Sequence, residues 1–298
     1  NKLNIIKGNA YLLIASFIWG TAFVAQAVGM EFVGPVTFTF ARFLLGALVI
    51  LPLLIYYERE VYIRILTQKN SILLIFSTAL ALGFGATIQQ YALLYTDVSN
   101  AAFITALYVP MVPIILKIIL KKNLHWSIWL AVIICLIGLY LLTSNSKTTI
   151  GSFSDILLII SALFFAIQII LNDVYIKKNK SPFTFAFFQY LIIFVCTFIL
   201  ANIIENPSLR SIYKEGFEIF YAGALSVGIA YTLQIIGQNK TKPASAAIIL
   251  SMEAVFAAIA GWIIINQTMS IIKIIGCILI FIGIIIAQLF PLLYRRVK

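Results

Sequence analysis

The sequence predicts an all-α polytopic membrane protein, with ten transmembrane helices arranged as two inverted five-helix repeats. Three observations support this prediction. Apolar residues make up 62% of the 298 residues and charged residues only 10%, whereas soluble domains hold roughly 45–50% and about 25%. The apolar residues gather in ten runs of about 20, the length that spans a bilayer as a helix. The second half of the chain also repeats features of the first.

This composition excludes several classes of protein. A soluble enzyme or nucleic-acid-binding domain of this size could not bury so much apolar surface, and a disordered chain is far more polar. The first run is too long for the apolar part of a signal peptide, and the connections are too short for a soluble domain. The predicted spans are Gly8–Val28, Val36–Tyr56, Ser71–Leu94, Val98–Leu120, Trp126–Thr143, Phe153–Asp173, Phe183–Ile204, Gly216–Gln238, Pro243–Ile265 and Ile271–Leu293.

Basic residues set the predicted orientation of these spans. The net charge is +11, and 16 of the 20 Lys and Arg residues outside the span interiors fall on the side that holds both termini. Only Lys147, Arg210, Lys214 and Lys273 fall on the other side. Cytoplasmic connections carry such an excess of positive charge. We therefore expect both termini in the cytoplasm, a plasma membrane of the bacterial inner type, and no binding to nucleic acid.

The sequence has no pattern typical of a metal, cofactor or disulfide site. Cys135, Cys196 and Cys277 each lie alone inside an apolar run, without the spacing of metal ligands. The single histidine, His125, lies in a connection near two lysines, where a solvated side chain is expected. The sequence therefore predicts no cofactor and no bound metal.

An internal repeat divides the chain into two predicted domains. The stretch Phe38–Ala41 recurs as Phe183–Ala186, an offset of 145 residues, and the same offset relates positions in three other pairs of spans. The domains are residues 1–145, with spans one to five, and residues 146–298, with spans six to ten. Because five is an odd number, the second copy would be inverted across the membrane. Inverted repeats are typical of secondary transporters, whose halves rock around a site near the midplane.

Several short motifs resemble one known family. They are Trp19-Gly20 in the first span, Arg42 early in the second, Ser245-Ala246-Ala247 after Pro243, and Ser251-Met252-Glu253 followed by Val255-Phe256. Together with the two repeats, they make nearly the whole chain similar to the EamA branch of the drug/metabolite transporter superfamily. The resemblance implies a transporter, often an exporter of amino acids, their derivatives or other small metabolites.

The chain departs from that family pattern at one position. The family often has proline after the glutamate of the ninth span, and here that residue is Ala254. The matching stretch of the fourth span has Pro110, and Pro113 follows it. Because proline removes a backbone donor and bends a helix, we expect a kink or gate in the fourth span and no break in the ninth.

Ionisable residues inside spans are costly and mark functional positions. Glu253 lies ten residues into the ninth span, about 15 Å deep at 1.5 Å per residue, which is close to the midplane. It could bind a substrate amine or exchange protons, or it could only bond a neighbouring helix. Arg42 lies nearer the end of the second span and is predicted to gate or brace the structure. The alternatives are snorkelling to the surface and direct contact with the substrate.

The repeat places other polar residues at similar depths. Gln89 corresponds to Gln234 and Tyr108 to Glu253, so we expect these four side chains around one central cavity. Polar groups at such depth need a partner in the protein, in water or in a ligand. Further predicted lining residues, each with ordinary helix packing as its alternative, are Trp19, Tyr91, Thr105, Tyr231 and Ser251.

These features favour a secondary transporter that exports small metabolites such as amino acids by alternating access. One midplane acid with amide and aromatic neighbours suits a zwitterionic or cationic substrate, and protons could be coupled through Glu253. The alternatives are a sugar-phosphate or nucleotide-sugar exchanger of the same superfamily, a membrane-embedded enzyme and a channel. An enzyme would need paired catalytic groups and a channel would need a polar stripe along one pore. Neither pattern is visible in the sequence.

Overall fold

The computed structural model describes residues 2–143, 153–264, 266 and 270–294, and this part of the chain folds into helices without a strand. The predicted all-α class is therefore confirmed. The predicted domain boundary, between residues 145 and 146, lies outside the described residues. Within them, eight apolar helical stretches are long enough to cross a bilayer, and the apolar stretches Trp126–Leu141 and Ile271–Ala287 are shorter. The chain is thus a polytopic membrane protein.

The first half of the described chain holds seven helices. Long helices form the first three spans, and a short amphipathic helix, α3, which the sequence analysis did not predict, lies between the second and the third. The helices are α1 (Lys2–Val28), α2 (Pro35–Tyr57), α3 (Arg59–Leu66), α4 (Lys69–Ala92), α5 (Val98–Thr105), α6 (Tyr108–Ile118) and α7 (Trp126–Thr143).

The second half follows the same order of elements. The eighth span of the chain, which lies in this half, contains a π-helical segment of 11 residues between two α-helices. A short helix that was not predicted, α10, precedes this span. The elements are α8 (Phe153–Asn179), α9 (Pro182–Ile204), α10 (Leu209–Lys214), α11 (Gly216–Phe220), the π segment (Tyr221–Tyr231), α12 (Thr232–Gln238), α13 (Pro243–Leu250), α14 (Met252–Ile264) and α15 (Ile271–Tyr294).

Both the fourth and the ninth spans are broken. The fourth is interrupted between α5 and α6, before Pro113 and with Pro110 already in the first turn of α6, where a missing N–H removes no helical bond. The ninth is interrupted at Ser251, so the expectation of an unbroken ninth span is wrong. The Ser251 hydroxyl donates to the Ile248 carbonyl at 2.7 Å, and such bonds bend helices without proline.

Helices α2 and α9 lie antiparallel and cap each other. The Glu58 carboxylate, just past the end of α2, accepts from the backbone N–H of Phe183 (3.2 Å) and Thr184 (2.8 Å) in the first turn of α9. Glu205, just past the end of α9, accepts from the N–H groups of Val36 (2.9 Å) and Thr37 (2.7 Å) in α2. A carboxylate satisfies the free donors and the positive end of a helix. Each half thus completes a helix of the other.

The same pair of helices corrects the repeat offset. Both α2 and α9 have 23 residues and begin with proline, at Pro35 and Pro182. They are therefore 147 residues apart, whereas α5 and α13 begin 145 apart, at Val98 and Pro243. The offset of 145 read from the Phe-Thr-Phe-Ala motif does not hold for the second and seventh spans. The offset changes from 147 to 145 further along the chain, because α4 has 24 residues and is followed by five, whereas Gly216–Gln238 has 23 residues and is followed by four.

Polar side chains lie inside this bundle and apolar ones outside. Gln90, Asn172 and Gln189 are fully buried, while Ile118 and Ile203 are largely exposed on the outer surface. In water this arrangement would leave a large apolar surface unfavourably solvated. In a bilayer the outer apolar surface meets hydrocarbon, and the buried amides are available to line an internal site.

Candidate functional site: a central polar cavity

A narrow cavity lies at the centre of the bundle, and the space between its lining atoms is about 450 Å³, including space open to solvent. Residues from both halves line it, on α1, α2, α4, α6, α8, the π segment, α12 and α14 among others. Its lining residues are Trp19, Phe23, Gln26, Arg42, Gln89, Thr105, Tyr108, Phe165, Gln168, Ile169, Ser226, Tyr231, Gln234, Leu250 and Glu253.

Most of the residues singled out in the sequence meet in this cavity. The four that the repeat related, Gln89, Gln234, Tyr108 and Glu253, all line it. Their convergence is what the inverted arrangement predicts, but that they bind a substrate stays a prediction. The other predicted residues that line the cavity are Trp19, Thr105, Tyr231 and Arg42.

Four predicted residues lie elsewhere. Tyr91 is 41% exposed and its ring packs against Tyr95 at 5.6 Å, because it lies two residues, or about 200°, around α4 from the cavity-lining Gln89. Ser251 is buried but its hydroxyl is used within its own helix. Pro110 and Pro113 lie in α6 beyond Tyr108 and do not line the cavity.

The two helix breaks position Tyr108 and Glu253. Tyr108 is the first residue of α6 and Glu253 the second of α14, so each side chain leaves the backbone directly after an interruption. Glu253 is only 4% exposed. The Tyr108 hydroxyl and Glu253 Oε1 both lack a hydrogen bond of good geometry to the described residues, and an unsatisfied buried group costs roughly 1–3 kcal/mol. The phenol and the carboxyl group interact with each other, so a ligand that binds Glu253 would replace that contact.

Arg42 is the one cation among the described residues that line the cavity. It is 2% exposed, so the alternative that it snorkels to the surface is wrong. Its Nη1 donates to Gln26 Oε1 at 2.5 Å and its Nη2 to the Ala86 carbonyl at 3.2 Å, while Nε has no partner. Within the described residues it forms no ion pair, with Glu253 or with any other carboxylate. The cavity thus presents one guanidinium and one carboxyl group that do not neutralise each other.

Amide side chains make up much of the remaining polar lining. Gln89 Nε2 donates to Thr105 Oγ1 at 3.1 Å. Gln168 and Gln234 exchange two hydrogen bonds, Gln168 Nε2 to Gln234 Oε1 at 3.0 Å and Gln234 Nε2 to Gln168 Oε1 at 3.2 Å. These amides join α8 to α12 at the edge of the cavity.

Sequence reasoning missed three polar residues of this lining: Gln26, Gln168 and Ser226. The offset of 145 pairs Gln168 with Phe23 and Gln26 with Leu171, so the repeat gave no sign of them. A second signal was available, because an amide inside an apolar run is costly wherever it lies. Applied to every glutamine in the spans, that criterion would have found both amides.

Aromatic side chains close one wall of the cavity. The Trp19 indole N–H donates to the Ser226 carbonyl in the π segment at 3.2 Å, and its ring lies 4.6 Å from that of Tyr231. Phe43 stacks with Tyr231 at 6.4 Å between ring centroids and lies 5.5 Å from the Arg42 guanidinium. Such a wall suits an organic solute that has an apolar part. Among the described residues, no group of three His, Cys, Asp or Glu side chains could hold a metal ion.

A solved crystal structure shares this fold. It superposes with a TM-score of 0.77 over 98% of this chain and 98% of its own, at 16% sequence identity. At that identity the likeness concerns the fold alone.

Curated relatives have low sequence identity to this chain. An uncharacterized transporter of Archaeoglobus fulgidus is 28% identical over 93% of this chain and 84% of its own. The uncharacterized transporter YwfM of Bacillus subtilis is 25% identical over 96% of each chain. An S-adenosylmethionine uptake transporter of Rickettsia prowazekii is 26% identical over 47% of this chain and 46% of its own.

One family accounts for nearly the whole sequence. The sequence model of the EamA-like transporter family matches twice, at residues 6–144 and again at residues 152–289. The two matches cover all the elements that line the central cavity. The chain therefore belongs to the EamA-like transporter family and is a membrane transporter.

Proposed function

We propose that the protein is a secondary transporter of small zwitterionic metabolites, such as amino acids or their derivatives. The observation that carries the proposal is the composition of the central cavity. It holds one cation, Arg42, and one carboxyl group, Glu253, without an ion pair between them among the described residues. A substrate carboxylate would pair with the guanidinium and a substrate amine with the Glu253 carboxylate.

The atoms without partners support this assignment. Arg42 Nε, the Tyr108 hydroxyl and Glu253 Oε1 all belong to lining residues, and none has a hydrogen bond of good geometry to the described residues, although the phenol and the carboxyl group interact with each other. A zwitterion supplies an acceptor for Arg42 and donors for Glu253.

Two inverted repeats, residues 1–145 and 146–298, would give this carrier its alternating access. The family match occurs once in each half. Corresponding helices also have equal lengths: α1 and α8 have 27 residues, and α5 and α13 have eight. Two similar halves in opposite orientation have inward-open and outward-open states of similar energy, so a substrate can shift the population between them.

Export from the cytoplasm across a plasma membrane, with both termini inside, is the direction and orientation we propose. The excess of Lys and Arg on one side supports the orientation. A transmembrane proton gradient, coupled to transport by protonation of Glu253, would supply a driving force. The relative from Rickettsia is named for uptake of S-adenosylmethionine, which is itself an amino acid with an additional cation. We include it among the candidate substrates.

A sugar-phosphate or nucleotide-sugar exchanger fits the cavity less well. A phosphate ester carries about two negative charges at neutral pH, and the lining has one guanidinium and a carboxylate. The same lining argues against an enzyme, because a lone carboxyl group next to an unpaired phenol provides no nucleophile and base pair.

Counterflow in proteoliposomes tests the proposal. Vesicles preloaded with one unlabelled amino acid should accumulate the same labelled amino acid transiently, since a carrier exchanges and a channel does not. For each amino acid that is transported, two analogues should be compared as competitors: the amine without its carboxylate and the acid without its amine. We expect each analogue to compete at least about tenfold more weakly, the effect of one lost charged contact. Equal competition by either analogue would contradict recognition of both charges.

A further inference from the structure

A second cavity lies at one end of the bundle, where lysines gather. It spans about 1420 Å³, including space open to solvent, and its lining includes Lys122, Lys177, Lys240, Lys242 and Asp173. Lys177 pairs with Asp173, one turn apart on α8. We call this cavity the lysine pocket. The sequence places its lysines on the side that holds both termini.

Three stretches of chain run from the central cavity to the lysine pocket. On α8, Gln168 lines the central cavity and Asp173 lines the lysine pocket. On α12, Gln234 lines the central cavity, and the residues that follow this helix line the lysine pocket. On α13, Leu250 lines the central cavity and Ser245 the lysine pocket. The two cavities thus lie along one line, separated by about one helical turn of α8 and α12.

A second pair of amide side chains lies in the helical turn between the two cavities. Asn172 and Gln238 lie one turn beyond Gln168 and Gln234 on the same two helices, and both are fully buried. Asn172 Nδ2 donates to Gln238 Oε1 at 3.2 Å, and Gln238 Nε2 donates to the Ile169 carbonyl at 2.8 Å. We call Asn172 and Gln238 the inner amide pair. It is the last polar contact between α8 and α12 before the lysine pocket.

The inner amide pair is incompletely satisfied. Asn172 Oδ1 is buried and has no hydrogen-bond partner, although the same side chain donates to Gln238. Two apolar side chains would pack α8 against α12 without the free-energy cost of an unsatisfied amide oxygen. An amide contact has a different property, because its groups can exchange their mutual bonds for bonds to water or to a polar solute as the helices separate.

We propose that the inner amide pair is the gate between the central cavity and the lysine pocket, and that the transported solute leaves or enters by separation of α8 from α12 there. The gate rests on the proposed function, since it gives the solute of that function its path. It also assigns Asn172 and Gln238 a role that neither cavity shows by itself, as neither residue lines the central cavity.

Thiol labelling tests the gate without any transport assay. In a chain with Cys135, Cys196 and Cys277 replaced by alanine, a Gln234→Cys substitution reports access to the central cavity. A charged, membrane-impermeant methanethiosulfonate is added to sealed vesicles of each orientation. Removing the pair with Asn172→Ala and Gln238→Ala should speed labelling from the lysine side roughly ten- to thirtyfold, the effect of two hydrogen bonds on an opening equilibrium.

The matched control is Asn202→Ala. The Asn202 amide also makes one helix hydrogen bond, to the Phe198 carbonyl at 2.8 Å, but it lies on the outer face of α9. Its loss should leave the labelling rate unchanged. An unchanged rate after removal of both members of the inner amide pair, or an equal increase from the opposite side, would overturn the proposed gate.

A locked gate gives a second, opposite measurement. With Asn172→Cys and Gln238→Cys in the cysteine-free chain, a short bifunctional thiol reagent should abolish counterflow, and reduction should restore it. Cross-linking Phe40→Cys to Phe198→Cys, whose parent rings lie 5.3 Å apart away from both cavities, controls for the chemistry. Counterflow that survives the lock would overturn the gate. Labelling that responds as expected in a protein that exchanges no amino acid would instead overturn the proposed function and keep the gate.

Discussion

Glu253 is a carboxyl group near the middle of a membrane-embedded bundle, and its chemistry follows from what surrounds it. Its neighbours in the cavity are a phenol, amides and aromatic rings, and within the described residues it has no ion-pair partner. A structural carboxyl group in hydrocarbon would be expected to have every oxygen bonded. Oε1 has no hydrogen bond of good geometry to the described residues, and the side-chain contact given for the carboxyl group is with the Tyr108 phenol, which favours a role in binding or proton exchange.

The substitution Glu253→Gln separates these roles. It keeps the size and hydrogen bonding of the side chain but removes its charge and its titration. We expect the variant to insert and fold normally and to lose most counterflow, by at least about tenfold, because one charged contact is lost. The measurement is counterflow in proteoliposomes over a range of external pH.

Two comparisons make this result interpretable. Glu60→Gln removes an exposed carboxylate from α3 and should leave counterflow unchanged. Glu253→Leu should lower thermal stability if the carboxyl group only braces a helix. Near-normal flux in Glu253→Gln, with an unchanged pH profile, would remove Glu253 from the mechanism.

At this scale the sequence predicted the ionisable residues better than the amides. Glu253 and Arg42 stand out because a charge inside an apolar run needs an explanation. Gln168 and Asn172 were not recognised, because the offset of 145 pairs them with the apolar residues Phe23 and Ala27. Tyr91 was assigned to the cavity from depth alone, and depth does not say which face of a helix a residue occupies.

The π segment lies unusually close to α2, and this contact holds the guanidinium side of the cavity. A Cβ atom built on Gly223 would lie 2.7 Å from Leu45 Cβ and 2.9 Å from the Arg42 carbonyl oxygen. Only glycine permits this approach, as at other close helix contacts in membranes. Any larger residue must push the π segment away from the stretch of α2 that carries Arg42.

We therefore expect Gly223→Ala to destabilise the protein by about 1–3 kcal/mol, the usual cost of overpacking. Gly216→Ala is the matched control, since nothing lies within 4 Å of a Cβ at Gly216, and it should stay within about 0.5 kcal/mol. Thermal unfolding in detergent, followed by size-exclusion chromatography, measures both. Equal stability of the two variants would contradict the close contact.

Most helix limits follow from the sequence and some interior details do not. Trp126–Thr143 was predicted as the structure has it, and α9 begins one residue before the predicted Phe183, because an apolar run and its turn residues mark a span. The break at Ser251 and the π segment depend on which backbone carbonyl accepts the hydrogen bond from each N–H. Packing between helices determines this pattern, and it cannot be read from hydropathy.

The whole molecule has a predicted orientation that labelling can test. Asn179 ends α8, immediately before α9, and Ser208 follows the other end of α9. A helix of 23 residues is about 35 Å long, so the two positions lie on opposite sides of a bilayer. In a cysteine-free chain, Ser208→Cys should react with an impermeant maleimide from outside the cell, and Asn179→Cys only after permeabilisation.

A third position extends the same test. Asn145→Cys, which lies outside the described residues, should be labelled externally like Ser208→Cys. Labelling of Asn179→Cys in intact cells would show that the charge distribution has been misread. The positive-inside rule would then not apply to this chain, and the lysine pocket would face the outside.

The reciprocal caps of α2 and α9 have a consequence for the order in which the protein is made. Val36 enters the membrane early, yet the carboxylate that completes its helix belongs to Glu205, 169 residues later. At roughly 5–20 residues per second, the ribosome needs about 10–30 s to supply it. During that interval the first half is a nascent chain with an open helix end. The N-terminal end of α2 can therefore be capped only after the seventh span and the Glu205 that follows it have been synthesised.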